Sequence, residues 1–310
     1  MSRDSDAPAT ALVADLISHA VGCVVGRWDI RFATGERPTP ELPDPFDPLP
    51  VCSPGMLQGD DGLPLRNTPD GYPLRIDGDG ILVEDPSHPD DIVRRARDVL
   101  EVIWKDRADA IEREACEILG VKELRDYFRR PSNGGFWTDH ISRYSKSRRK
   151  APIYWLLQSS RKNYALWLYY HRLDKDILFK ALNLYVVPKV RLEENGLDAL
   201  RAQKQAEGEP GKGSKKIDKE IERQEEFVSE LRDFAEKLGR AARLDFGDTE
   251  TLDSAVTYDP DLNDGVVLNI APLHELVPWK EAKIYWDALL KGDYAWSSIS
   301  QRLRAKGLVR

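Results

Sequence analysis

The chain has 310 residues, of which 41% are hydrophobic and 32% are charged, and it carries 53 Asp and Glu against 46 Lys and Arg. These values are typical of a globular protein with a buried core, while the net charge of −7 excludes a general nucleic-acid coat, which would be basic throughout. The three cysteines stand far apart without a CxxC pair, so neither a disulfide framework nor a zinc knuckle is indicated.

The first predicted element is a helix over residues 9–26, where apolar residues recur at helical spacing. Gly22 and Gly26 lower its intrinsic stability, which indicates close packing against another element. Asp15 and His19 interrupt this stretch, which is too short and too polar for a signal peptide or a membrane span. We therefore expect a cytoplasmic protein that does not enter a membrane.

A proline-rich strap is predicted over residues 27–90. Twelve of the twenty prolines lie between residues 31 and 89, and proline removes backbone donors and restricts the residue before it. Scattered apolar residues predict that the strap is laid over a surface: Phe46, Leu49, Val51 and Met56. Near its end we predict a short hairpin, whose strands Tyr72–Ile76 and Ile81–Val83 are joined by a turn at two Asp-Gly pairs.

Helical patterns return after the strap and complete an N-terminal helical region, residues 1–135. The first helix has an apolar face that begins at Ile92. The second is predicted over Arg107–Leu119 and ends at Gly120, because glycine favours the left-handed conformation that follows a helix. A short third helix is predicted over Lys122–Arg129.

The second predicted domain, residues 136–310, opens with a basic and aromatic block. From His140 to Leu173 there is no Asp or Glu, yet the same window holds eight Lys or Arg and seven Trp or Tyr. Two aromatic runs separated by SSRKN predict a β-hairpin over residues 151–172, either buried on both faces or presenting rings on one. The run that follows predicts a helix up to Pro188.

A helical hairpin is predicted over residues 190–243, with its break at GEPGKGS. Its long arm carries a heptad seam formed by Ile217, Ile221, Gln224, Val228, Leu231, Ala235, Leu238 and Ala242. A dimerising coiled coil is the alternative interpretation of the same seam. The pattern of the C-terminal tail, residues 278–307, predicts two short helices that separate at Gly292–Asp293. We expect its aromatic residues in a core: Trp279, Tyr285, Trp286, Tyr294 and Trp296.

The predicted fold class is therefore α+β and predominantly helical. It combines a proline-rich strap, a buried β-hairpin and a long antiparallel helical hairpin. No repeat of 20–50 residues is visible, so a solenoid or propeller is not indicated.

The sequence shows no complete enzyme signature, and we predict no catalytic, cofactor-binding or metal-binding residue in this chain. A cofactor site would need a glycine-rich turn between a strand and a helix, and an adenine methyltransferase would need an Asn-Pro-Pro-aromatic tetrapeptide. Asp261, Glu281 and Lys283 match the spacing of a PD-(D/E)xK magnesium nuclease. That motif normally uses a strand, whereas Glu281 and Lys283 fall in a predicted helix, so the nuclease is a weaker alternative.

The acid-free block is the candidate DNA-binding site, because phosphates attract clustered cations from which carboxylates are kept away. The candidate residues lie on a Ser-rich approach and at the hairpin tip: Arg143, Lys146, Arg148, Arg149, Lys150, Arg161, Lys162 and Asn163. The two groups would lie about 25 Å apart along a strand of about eight residues and contact separate parts of one duplex. Composition alone leaves equally open that the rings form a core and the cations a solvated rim.

Several long phrases also resemble one family. The phrases SKSRRKAPIYWLL, YALWLYYHRLDKDIL and DGVVLNIAPLHELVPWKEAKIYW resemble the C-terminal region of large adenine-specific DNA methyltransferases of bacterial phage defence. These belong to the bacteriophage-exclusion (phage growth limitation X-like) and type IIG restriction-modification systems. VGCVVGRWDIRFATGE and DPFDPLPVCSPGML resemble the segment that follows their methyltransferase domain. The likeness runs from about Leu12 to Arg310.

In that family the catalytic half lies upstream, and the C-terminal half contributes target recognition. The resemblance therefore implies a DNA-recognition part of a site-specific adenine-N6 methyltransferase, acting on double-stranded DNA with a separate catalytic chain that binds S-adenosylmethionine. We expect no cofactor in this chain, and whether it is itself an enzyme is left open. An interaction module that docks a protein partner through its helical hairpin is the alternative function.

Overall fold

A computed structural model of the chain describes residues 8–44, 46–48, 50–130, 134–146, 149–206, 212–246 and 256–309. The fold is α+β and predominantly helical, as the sequence predicts. Its residues form two compact units. Unit 1 comprises Met1–Tyr154 and Trp167–Arg172, and unit 2 comprises Trp155–Leu166 and Leu173–Arg310. The domain boundary placed after residue 135 stays a prediction.

The helices of unit 1 follow the apolar patterns of the sequence. They are α1 (Ala9–Val24), α2 (Arg31–Thr34), α3 (Ile92–Trp104), α4 (Ala108–Leu119), α5 (Leu124–Arg129) and α6 (Phe136–Arg143). Close packing at Gly22 is confirmed, because a Cβ atom there would overlap the ring of Trp28. Gly120 ends α4 in the left-handed conformation, at φ 65°, as the glycine predicts.

The strap differs from the prediction in its first half. Phe46 is 97% exposed and Val51 is 73% exposed, so the expectation that these side chains lie over a surface is wrong. Carboxylates and prolines alternate with them, and burying the apolar side chains would also desolvate those charges. Leu49 lies outside the described residues. The second half is anchored, since Met56 forms an isolated β-bridge with Trp28.

The hairpin predicted between Tyr72–Ile76 and Ile81–Val83 is not formed. The second segment alone is a strand, and its partner is a strand from much later in the chain. The N–H of Ile76 donates instead to the Thr68 hydroxyl at 2.9 Å. Pro73 has no N–H to offer a ladder, so the first segment is a poor strand despite its apolar residues.

The strands of the described chain are β1 (Ile81–Val83), β2 (Ser145–Lys146), β3 (Arg149–Lys150), β4 (Tyr154–Gln158) and β5 (Ala165–Tyr169). The β-hairpin predicted over residues 151–172 is confirmed as β4 and β5. Every residue of both strands is buried, which selects the alternative in which both faces are covered. These strands join β1 in a sheet of order β1-β5-β4.

The helices of unit 2 are α7 (Ile177–Lys180), α8 (Val187–Ala206), α9 (Lys212–Arg243), α10 (Val266–Ile270), α11 (Lys280–Leu290) and α12 (Ser298–Ala305). The helix predicted to end at Pro188 continues past it, so that prediction is wrong. A π-helical segment, Ala181–Val186, joins α7 to α8, and the N–H of Val187 donates to the Leu182 carbonyl five residues back. The wider turn accommodates a proline, which lacks an N–H and would clash in regular α geometry.

The predicted helical hairpin is confirmed as α8 and α9. Glu194 near the start of α8 pairs with Arg232 near the end of α9, whereas Lys204 near the end of α8 pairs with Asp218 near the start of α9. The two helices are therefore antiparallel. At 32 residues α9 is about 48 Å long, yet neither it nor any other described helix is apolar enough over sufficient length to span a bilayer.

The tail follows its prediction only in part. Helices α11 and α12 separate around Gly292–Asp293 as expected, and Trp279 and Trp286 are buried. Trp296 is 66% exposed, so its expected place in the core is wrong. The next residue, Ser297, is fully buried and caps α12, which leaves the preceding side chain outside.

Candidate nucleic-acid interface

The Ser-rich approach of the basic block forms a short two-stranded ribbon. Strands β2 and β3 pair antiparallel, with Ser145 opposite Lys150 and Lys146 opposite Arg149. Arg148 follows β2 and lies outside the described residues, and the backbone alone is described at Lys146, Arg149 and Lys150. Like charges directly opposite one another destabilise a strand pair. The register therefore brings basic residues opposite one another, a pairing that a bound anion would stabilise.

The base of this ribbon is fixed by His140, which lies on α6 before the first strand. Its Nε2 accepts the N–H of Ile153 at 2.8 Å and the N–H of Tyr154 at 3.0 Å, both beyond the second strand. The ring is fully buried. Burial, together with the charges of Arg143 and Arg27, holds the pKa of this imidazole well below its usual value. His140 is therefore neutral when it accepts these bonds.

Arg143 forms an ion pair with a carboxylate from outside the acid-free stretch, residues 140–173. Its Nη2 donates to Oδ1 of Asp15, which lies 128 residues away in the sequence, on α1. Both side chains are partly exposed, and such ion pairs stabilise a protein by about 0–1 kcal/mol. A DNA phosphate that approaches Arg143 would therefore displace a weak partner.

The hairpin tip, residues 159–163, is bound by Glu230 of α9. This side chain is 4% exposed. Its Oε1 accepts the Ser159 hydroxyl at 2.5 Å and the Arg161 N–H at 2.9 Å, and its Oε2 accepts Nδ2 of Asn163 at 2.7 Å. Asn163 is therefore committed to an intramolecular bond, and the tip has a clear structural role.

The two cations at the tip differ in their surroundings. The Arg161 guanidinium forms an ion pair with Glu226, which lies one helical turn before Glu230. Lys162 is exposed and adopts a positive φ of 67°, which is uncommon for a residue with a Cβ atom. The basic block is thus free of acids in the sequence but not in space. The tip belongs to unit 2 and the ribbon to unit 1, so the predicted 25 Å spacing stays a prediction.

The rings of the block form a core rather than a stacking surface. Tyr154, Trp155 and Trp167 lie in β4 and β5 and are buried. Trp167 packs edge-on against Phe136 of α6, with ring centroids 5.1 Å apart. Of the two interpretations that composition left open, the core is correct for these rings.

The residues of the nuclease alternative lie on different elements. Glu281 and Lys283 are on the helix α11, as the sequence predicts, and Lys283 pairs with Asp287 one turn later. Asp261 accepts the hydroxyl of Ser298 at 2.9 Å. Within the described ranges no cluster of three or more His, Cys, Asp and Glu side chains is placed to hold a metal ion.

The sequence analysis did not predict the structural roles of two residues in this region. His140 was one of five isolated histidines, and Glu230 was one of many acids on a charged helix. Both act on backbone N–H groups that come near only after folding. A local pattern does not reveal such partners.

Comparison with known proteins assigns no family to this chain. No protein-family model matches it, and no match was found among curated proteins. The likeness to the C-terminal region of adenine-specific DNA methyltransferases stays an expectation based on the quoted phrases.

Proposed function

We propose that the chain binds double-stranded DNA through the basic ribbon, residues 145–150. It would act as the target-recognition part of a site-specific adenine-N6 DNA methyltransferase system of the restriction-modification or phage-defence kind. The observation that carries the DNA-binding proposal is the register of the ribbon, in which Lys146 lies opposite Arg149. The major groove of B-DNA, about 12 Å wide, admits a two-stranded ribbon, and phosphates on either side attract its cations.

The other candidate residues take secondary roles in this proposal. Arg143 lies where α6 leads into the ribbon and exchanges its ion pair with Asp15 for a phosphate. Lys162 is an exposed cation of the hairpin tip. Arg161 contributes only after it leaves Glu226, and Asn163 stays bound within the fold.

Removing the cations of the ribbon is expected to weaken DNA binding and flatten its salt dependence. In the triple variant Arg148→Ala, Arg149→Ala, Lys150→Ala, the slope of log K against log salt should fall by about 0.9 for each phosphate that the variant no longer neutralises. Fluorescence anisotropy of a labelled duplex, titrated at several salt concentrations, measures both quantities.

A matched control removes the same charge elsewhere. Lys175, Lys291 and Arg304 are exposed, so changing all three to alanine alters the net charge equally without touching the ribbon. We expect this control to keep the wild-type slope. A ribbon variant with unchanged affinity and slope, or a control with an equal loss, would contradict the assignment.

Methyl transfer belongs to a separate catalytic chain in this proposal, and that chain binds S-adenosylmethionine. Support comes from the resemblance and from the lack of an Asn-Pro-Pro-aromatic tetrapeptide in this sequence. With labelled S-adenosylmethionine and duplex DNA, this chain by itself is expected to transfer no methyl group. Transfer by the purified chain would refute the division of labour.

The alternative function is that of a module that docks a protein partner through the helical hairpin. Leu184 and Leu192, on the π-helical segment and α8, are each more than half exposed, which favours an apolar contact there. A wild-type chain that leaves duplex DNA unbound at low salt would favour this function. Magnesium-dependent plasmid cleavage that is lost in Glu281→Ala would be needed to support a nuclease.

A further inference from the structure

We propose that His140 is the positioning residue of the DNA-binding ribbon. Its neutral imidazole lies before the ribbon, accepts two backbone N–H groups that follow it, and so fixes the base of the ribbon. This inference rests on the proposed function, and it adds a residue that touches no DNA yet sets the affinity.

The hydrogen bonds at the ribbon base support this role. Nε2 accepts the amides of Ile153 and Tyr154, at 2.8 and 3.0 Å, so it carries no proton and the hydrogen of the neutral ring resides on Nδ1. On the entry side the Tyr144 N–H donates to the His140 carbonyl at 3.1 Å. The Ala151 N–H then donates to the Tyr144 carbonyl at 3.3 Å. The His140 side chain, before the ribbon, is thus bound to the backbone of two residues after it, and backbone bonds at Tyr144 support the same base.

The surroundings of His140 favour the neutral imidazole over the protonated one. Its centroid lies 4.7 Å from the ring of Tyr144 and 4.8 Å from that of Tyr154. Arg143 and Arg27 are the charged groups that act on it within the described chain, and Arg27 is stacked 5.5 Å from the Tyr144 ring. A protonated imidazole would face these two cations and would lose both amide bonds, because Nε2 could no longer accept.

Removing the His140 acceptor and removing a cation should affect DNA affinity and its salt dependence differently. A ribbon freed at its base must be ordered when it binds, which lowers affinity by the entropy of that ordering. The cations still reach the same phosphates once bound, so the salt slope is unchanged. Removing the cations instead lowers the slope.

Two variants of the full chain separate the acceptor from the packing. His140→Gln keeps an acceptor, since its Oε1 reaches the position of Nε2, whereas His140→Leu fills the space without one. We expect His140→Leu to bind a labelled duplex about tenfold more weakly at fixed salt with the wild-type slope, which corresponds to about 1.4 kcal/mol. His140→Gln should remain within about threefold of wild type, or about 0.7 kcal/mol.

Hydrogen exchange tests the hydrogen bonds of His140 without DNA. The amides of Ile153 and Tyr154 should lose protection in His140→Leu and keep it in His140→Gln. If His140→Leu does not fold, His140→Asn is the second variant, because its shorter amide does not reach both donors. It is expected to behave as the leucine variant does.

The outcomes distinguish this inference from the function on which it rests. A wild-type chain that does not bind duplex DNA contradicts the proposed function, and the inference with it. A wild-type chain that binds, together with leucine and asparagine variants of equal affinity, overturns the role of His140 alone. Equal losses in the leucine and glutamine variants also overturn it, because they would assign the effect to packing and not to the acceptor.

Discussion

Arg125→Met is expected to lower the free energy of unfolding of unit 1 by about 3–5 kcal/mol. Arg125 donates two hydrogen bonds to Asp91, at 2.9 and 2.8 Å, and lies 4.0 Å from Oε1 of Glu84. Its side chain is 11% exposed, and those of the two acids are 3% and 2% exposed. Removing the guanidinium leaves the buried Asp91 carboxylate without its counter-charge and takes a second cation from Glu84, which keeps its ion pair with Arg129. Such a loss is among the most costly changes in a protein interior.

The same change reaches the start of α3. Asp91 is the N-cap of that helix, where its Oδ2 accepts the Arg94 N–H at 3.1 Å and its Oδ1 accepts the Asp85 N–H at 3.0 Å. Arg125 holds this carboxylate in the capping geometry. The loss therefore includes a weakened cap in addition to the unpaired charges.

The penalty of Arg125→Met should grow with pH. Burial raises the pKa of Glu84 to about 7, although Arg129 and Arg125 act against it. A raised carboxyl pKa contributes stability that is complete below the unfolded value near 4.3 and is lost as the pH rises through the folded value. Without Arg125 the charged form is less favourable still. We expect a larger deficit at pH 8 than at pH 5.

Urea unfolding followed by circular dichroism at the two pH values measures this deficit. Arg94→Met is the matched control, because Arg94 lies exposed on α3, and its loss should change stability by less than about 0.5 kcal/mol. An Arg125 variant that loses under about 1 kcal/mol would behave like a surface ion pair and refute the buried network.

Local signals predicted the parts of the fold that depend on neighbouring residues. Gly120 ends α4 because only glycine enters the left-handed conformation without strain, and that preference is visible in the sequence. The hairpin 151–172 was equally visible, because aromatic runs on both sides of a polar turn favour paired strands. The helix end predicted at Pro188 was wrong because the backbone forms a π-helical segment just before the proline. No local sequence rule predicts that segment.

The acidic partners of the candidate site could not be predicted from the local sequence. Arg143 and Asp15 are 128 residues apart, and Arg161 and Glu226 are 65 residues apart, so a stretch without acids acquires them through folding. The ribbon was predicted only as a Ser-rich approach, since serine and like charges favour neither strand nor pairing. Its register places Lys146 opposite Arg149, and His140 accepts the N–H groups of Ile153 and Tyr154 just beyond it, from a position 13 or 14 residues earlier in the sequence.

Glu230→Ala is expected to destabilise unit 2 by about 3 kcal/mol, because one buried carboxylate satisfies several donors of the hairpin tip. Bonds to a charged acceptor are worth about 1.5–3 kcal/mol each, and an alanine would leave the Ser159 hydroxyl and the Arg161 N–H without an acceptor. Glu226→Ala removes a carboxylate one turn away on the same helix. Its partner Arg161 and Glu226 itself are both more than half exposed, so we expect a loss of under about 1 kcal/mol.

The glutamine variant shows which feature of Glu230 matters. In Glu230→Gln the Oε1 atom still accepts from the Ser159 hydroxyl and the Arg161 N–H, and the new amide hydrogens face Asn163, whose side chain can turn to accept them. We expect a loss of about 1 kcal/mol, between the wild type and the alanine variant. Urea unfolding followed by tryptophan fluorescence measures all three variants. Equal losses in Glu230→Ala and Glu226→Ala would mean that burial adds nothing to this carboxylate, and that the tip is held by its strands and not by α9.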